Sequence, residues 1–171
     1  MRLAGLGLLA GWACAPGSLA PPPGSGASSA HTGHAAEQPA DTLRGVVAET
    51  GYEPATLLVL HTAGGRVVPL DGERRLLRRV VGLEVTVRGA PVQGGFGVRE
   101  VRVRAHEGVA AVDGVLDRRG GAYLVVTRDG QTLAVPHLPQ ALRGMIGGRV
   151  WLAGPLDQPP HSFGVLSEPV T

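Results

Sequence analysis

Lysine and asparagine are absent from this 171-residue chain, and isoleucine occurs once. All 16 strongly basic side chains are therefore arginine, a bias that a GC-rich genome explains without any functional claim. A single cysteine, Cys14, excludes an intramolecular disulfide framework and a cysteine-rich metal site. Aromatic residues make up 4% of the chain against 43% hydrophobic, so the core has to be built from Val, Leu and Ala. A formal net charge of +2 gives no general reason to expect nucleic acid as partner. Glycine (27) and proline (14) are abundant instead, which suits many short strands and tight turns better than long helices.

Residues 1–13 begin with a charge at Arg2 and continue as an apolar run from Leu3 to Ala13. The run is too short to span a bilayer as a helix and has the length of a signal-peptide core. Leu8 to Cys14 resembles a bacterial lipobox, in which the cysteine receives a diacylglycerol and the signal is cut just before it. Ala13 fits that pattern, while Gly11 and Trp12 depart from it. Cuts after Ala20 or Ala30 remain open. The expectation is an exported cell-envelope protein, anchored to a membrane through Cys14 or, alternatively, soluble in the periplasm or secreted. Residues 14–41 are rich in Pro, Gly, Ser and Ala and hold almost no large apolar side chain. Such a stretch cannot bury enough surface to offset its ordering entropy, so it reads as a flexible tether. His31 and His34 lie inside it without a third ligand nearby, which makes a poor metal site.

The remainder is duplicated. Shifted by 65 positions, Gly65 meets Gly130, Leu77 meets Leu142, Gly82 meets Gly147, Val85 meets Val150 and Gly89 meets Gly154. With small changes of register, Gly45-Val46-Val47 matches Gly114-Val115-Leu116, and Phe96-Gly97-Val98 matches Phe163-Gly164-Val165. Each copy reads as strands over 43–48, 55–62 and 66–70, answered by 112–117, 122–128 and 131–136, with glycine turns of hairpin type between the second and third. Leu76, Leu77, Val80 and Val81 then fall on one face of a two-turn helix, and Ala141, Leu142, Met145 and Ile146 repeat that spacing. A fourth strand follows, with Val85 and Val87 inward in one copy and Val150 and Leu152 in the other. A fifth begins at Phe96 and Phe163, both read as core plugs.

Three strands, a helix and two strands in about 60 residues resemble a small OB-fold, a five-stranded partly open Greek-key barrel. An SH3-like barrel is the rival, but it normally lacks a helix at that place. The reading is thus all-β with one short helix per module: module 1 at 42–105, a linker at 106–111 and module 2 at 112–168. Units this small are marginal alone, so the two are expected to pack together.

No G-x-S-x-G, H-E-x-x-H, C-x-x-C or glycine-rich loop followed by Lys is present. No cofactor or metal is expected, and the chain is read as non-enzymatic; a hydrolase with an unrecognised site is the remote alternative. The OB resemblance implies a ligand face at Tyr52, His61, Arg66, Gln93 and Phe96 in copy one. In copy two it implies Arg118, Arg119, Tyr123, Arg128 and His161. Charge is lopsided: copy one holds ten arginines against six acids, and copy two holds five of each. The surplus lies on the helix (Arg74, Arg75, Arg78, Arg79) and the fifth strand (Arg99, Arg102, Arg104). Trp151 alternates with inward Val150 and Leu152, which turns it outward and suggests a contact. The partner is expected to be an unidentified protein or polymer, with an OB-like binder of nucleic acid, oligosaccharide or another anionic polymer as the alternative.

Overall fold

The computed structural model describes residues 41–52 and 56–170, all within one compact unit, Glu37–Thr171. The expected signal segment, Cys14, His31 and His34 lie outside these residues. The fold is mainly β, with ten strands in one hydrogen-bonded sheet and a single α-helix among the described residues. The elements are β1 (Asp41–Thr50), β2 (Leu57–Thr62), β3 (Val67–Asp71), α1 (Arg74–Arg79), β4 (Leu83–Val92) and β5 (Gly95–His106). They are followed by β6 (Val109–Arg119), β7 (Ala122–Thr127), β8 (Thr132–Ala134), a 3-10 turn (Gln140–Leu142), β9 (Arg149–Ala153) and β10 (Ser162–Ser167).

The pairings repeat with the sequence. β1 pairs antiparallel with β2 and β4, β2 with β3, and β4 with β5. In the second half β6 pairs with β7 and β9, β7 with β8, and β9 with β10. Small details recur too. Thr62 Oγ1 accepts from the Arg66 amide as Thr127 Oγ1 does from Gln131, both at 3.2 Å. The amides of Gly82 and Gly147 donate to the carbonyls of Val47 and Leu116.

Three differences between the copies have local causes. In the first half, β3 and β5 pair in parallel through Leu70 with Phe96 and Asp71 with Gly97, so the hydrogen-bonded neighbours form a closed circuit. The matching positions in the second half are Val135 and Pro136. Proline has no N–H for a ladder, and no β8–β10 pairing exists among the described residues. Phe163, expected in the core, is 40% exposed there, whereas its counterpart Phe96 is 3% exposed. The expected second helix is only a 3-10 turn, because Gly144 stands where copy one has Arg79. Glycine inside a helix costs roughly 1 kcal/mol relative to alanine.

Residues 106–111, read as a linker, are mostly paired strand. His106 faces Val109 and Ala105 faces Ala110, joined by a two-residue turn. Glu107 and Gly108 both have positive φ, 49° and 78°, the backbone of a tight hairpin that follows the natural strand twist. Two apolar clusters result. One holds Val47, Leu60, Leu77, Val80, Val85, Val87 and Val101 and also takes in Trp151, Ala153 and Leu166 from the second half. The other is built on Leu116, Val125, Val135, Leu142, Val150 and Leu152.

Candidate functional site

Strand alternation gives each half an inner face toward its own cluster and an outer face. In the second half, Asp113, Arg149, Trp151, Gly164 and Leu166 stand on the outer face, and that face lies against the first half. Trp151 does point away from Val150 and Leu152, but it is only 7% exposed and is therefore no part of a free ligand surface. Its indole lies over Gly164 and 5.3 Å from the ring of His106, whose Nδ1 is 2.8 Å from Ser162 Oγ.

Beside it, Asp113 and Arg149 form a nearly buried ion pair of 2.9 Å. Asp113 also accepts the Val103 amide at 2.6 Å, and Arg149 donates to the Val101 carbonyl. Among the described residues, β5 has no strand partner on that edge between its pairing to β3 at residues 96–97 and to β6 at 105–106. The two side chains supply the donor and acceptor that a strand would have supplied, which removes the cost of leaving these groups unpaired.

The corresponding face of the first half has different chemistry. Arg44 and Glu84 occupy the positions of Asp113 and Arg149 with the charges exchanged, paired at 2.6 Å and largely solvent-exposed. Thr86, on β4, takes the place of Trp151. Arg88 on β4 and Arg102 on β5 both reach Glu100, at 3.8 and 2.8 Å, and Arg128 from the second half approaches it at 3.4 Å. Burial by itself would raise the Glu100 carboxyl. The hydrogen bond from Arg102 and the charges of Arg128, Arg102 and Arg88 together outweigh it and hold the group below the usual glutamate range. Arg102 also pairs with Asp129 at 2.9 Å, and its hydrogen bond to Glu100 is the main cause of a guanidinium held even more firmly protonated than usual. Arg99 and Arg104 have no acidic partner among the described residues.

The helix arginines, expected as an open cationic face, are largely occupied within the protein. Arg74 donates to the Thr56 carbonyl at 2.8 Å, Arg78 pairs with Glu49 at 3.3 Å, and Arg75 and Arg79 both clamp Glu168 at 3.0 and 2.9 Å. Arg79 reaches the Leu166 carbonyl as well. Three of these contacts tie α1 to the end of β10, so the basic run joins the two halves. Such pairs are worth little individually when exposed.

The other expected residues do not converge on one place. His61 borders a shallow depression of about 530 Å³ with Arg44, Val46 and Glu84. Arg66 lines another of about 330 Å³ with Leu43, Pro91 and Phe96. Arg118 stacks over Tyr123 at 5.4 Å, and Arg119 pairs with Asp117 at 2.7 Å. Tyr52 is almost fully exposed at the start of the β1–β2 loop, and His161 is exposed ahead of β10. Arg102, Arg104 and Arg128 do come together, in a cleft of about 160 Å³ between β5, β6 and the β7–β8 turn. The alternation of Glu84, Thr86 and Arg88 with Val85 and Val87 along β4 is a legible signal of a polar outer face. Asp113 offers no local signal, because Arg149 lies 36 residues away, whereas Glu100 and Arg102 stand two residues apart on one strand. No protein-family model matches the chain, and no curated protein or solved structure shows significant similarity to it.

Proposed function

We propose that this chain is a non-enzymatic binding protein of the cell envelope, tethered through Cys14, whose folded part is two OB-type units fused into one body. The strand order and the helix between third and fourth strands favour that fold: neighbours run 3-2-1-4-5 in both halves, with a parallel closing pair in the first, as in a small Greek-key barrel. One observation carries the functional reading. The outer face of β6, β9 and β10, with Trp151, Leu166 and the Asp113–Arg149 pair, is spent on docking, while the matching face of β1, β4 and β5 carries Arg44, Glu84 and Arg88 and is open. A duplicated unit that keeps one copy of a face free has that face available for a partner. Its surplus of arginine suits an extended anionic polymer.

The test is binding of a sulfated polysaccharide or a single-stranded oligonucleotide to the mature chain over a range of salt. Affinity should fall steeply as salt rises. It should weaken at least tenfold when Arg44, Arg88 and Arg99 become Ser, and change little in a variant with Arg74, Arg75, Arg78 and Arg79 replaced by Ser that remains folded. Absence of binding to either polymer at low salt ends the polymer reading. Mass spectrometry of the membrane fraction tests the tether separately, and a Cys14 without diacylglycerol overturns it.

A further inference from the structure

The cleft at the junction of the two halves differs from the open face in being lined by both halves. Its walls are β5 at residues 102–104, β6 at 111–113 and the β7–β8 turn at 127–131, with Leu133 behind. Both halves thus contribute to it, and their relative position is held by the β5–β6 hairpin, by Trp151 and by the Asp113–Arg149 contacts with β5. A site between elements fixed in this way is formed before any ligand arrives, which lowers the cost of binding.

Its charges are unequal. The carboxylates at the cleft are already matched: Asp113 by Arg149 and the Val103 amide, Asp129 by Arg102, and nearby Glu100 by Arg88, Arg102 and Arg128. Five guanidinium groups therefore stand in a network with three carboxylates once Arg104 is included. Arg104 lines the cleft with no acidic partner among the described residues, and Arg128 shares one acid with two other arginines. The Gln131 side-chain amide adds an uncharged donor on the same wall, with no hydrogen-bond partner among the described residues. The walls surround a space of about 160 Å³, with room for a tetrahedral or planar oxyanion between the arginines. Guanidinium groups recognise such oxygens through paired N–H donors.

We infer that this cleft is a binding site for a single phosphate, sulfate or carboxylate group, held between Arg104 of β5 and Arg128 and Gln131 of the β7–β8 turn. The site is separate from the open polymer face, since Arg44 and Arg88 do not line it.

The experiment uses the mature full chain, with thermal unfolding and calorimetric titration against inorganic phosphate, sulfate and acetate. Potassium chloride of equal ionic strength is the control. The expected result is a saturable rise in Tm with at least one oxyanion and none with chloride. Arg104→Ser, at an exposed side chain free of ion pairs, should fold normally and bind at least tenfold more weakly. Arg143→Ser, at an exposed side chain outside the cleft, should leave oxyanion binding within about twofold. Methyl phosphate forms a further arm: binding as tight as that of phosphate assigns the cleft to an end group of a larger molecule, and much weaker binding assigns it to the free ion. A Tm rise that chloride reproduces, or binding that survives Arg104→Ser, overturns the assignment. Loss of polymer binding in the Arg44, Arg88 and Arg99 variant with phosphate binding intact would separate this site from the polymer face. Phosphate binding without any polymer binding would leave the cleft standing and remove the polymer reading.

Discussion

Replacing Gly164 by alanine is the most direct probe of how the two halves are joined. A β-carbon at that position would stand 2.6 Å from Trp151 Nε1, 3.0 Å from Cε2 and 3.2 Å from Cζ2. Ordinary contacts between such atoms are about 3.5–4.0 Å, so the rigid indole would have to move by several tenths of an ångström. It has little room, since it sits between β10 and the His106 ring and belongs to the closely packed first cluster. Overpacking of this kind costs about 1–3 kcal/mol. Gly164 does not have a positive φ, so alanine is compatible with its backbone. Without the indole, the same substitution should be neutral or should stabilise by up to about 1 kcal/mol through the unfolded chain. A double-mutant cycle with Trp151→Ala should therefore show a coupling of about 1–3 kcal/mol. Trp151→Ala alone should cost about 3–5 kcal/mol. Urea unfolding followed by far-ultraviolet circular dichroism measures all four corners. Trp151→Leu replaces Trp151→Ala if the latter does not fold. Equal cost of Gly164→Ala in both backgrounds would refute the steric account and leave glycine's backbone freedom as the cause.

Two further outcomes follow from the asymmetry of the halves and from the arginine network. Phe96→Ala should cost about 3–5 kcal/mol, whereas Phe163→Ala, at a side chain 40% exposed, should cost no more than about 1.5 kcal/mol; equal urea midpoints for the two would contradict the open second half. Because Glu100 has a depressed carboxyl pKa in the folded protein, its contribution is present above the unfolded-chain value of about 4.3. It is lost as pH falls through the lower folded value. Tm measured from pH 7 to pH 3 should fall more steeply in the unaltered protein than in Glu100→Gln, and parallel curves would show that the network around Glu100 adds nothing.

The order of elements was legible because it depends on local patterns, read twice. Val85 and Val87 alternate as Val150 and Leu152 do, and the Thr62 and Thr127 turns close with the same hydrogen bonds. Errors fell where one residue alters the chemistry of a position that otherwise matches. Pro136 stands where Asp71 allows the closing pair, and Gly144 stands inside what would be the second helix. The run 106–111 looked like a linker because small residues dominate it, and its pairing depends on a turn whose first residue, Glu107, adopts a positive φ that glutamate seldom takes. Helical spacing places Arg74, Arg75, Arg78 and Arg79 away from the apolar face of Leu76, Leu77, Val80 and Val81. The arginines' partners Glu49, Glu168 and the Leu166 carbonyl lie 29 to 93 residues away, and no local pattern indicates them.

The same comparison of copies explains why the unit is duplicated with unequal surfaces. Two identical units would present the same outer face twice. If both were apolar, the first would be left uncovered and prone to stacking with further chains; if both were charged, the units would have nothing to bury against each other. The observed arrangement avoids both outcomes. Thr86 replaces the indole at the Trp151 position, Arg44 and Glu84 stand where Asp113 and Arg149 reach for a strand edge, and only the second face can dock. The charge exchange adds specificity. Asp113 accepts an amide from β5, and its counterpart Arg44 can only donate, so a second first-half unit could not engage β5 in the same way. One face is thereby committed to assembly within the chain, and the other keeps Arg44, Glu84 and Arg88 at the solvent-facing surface.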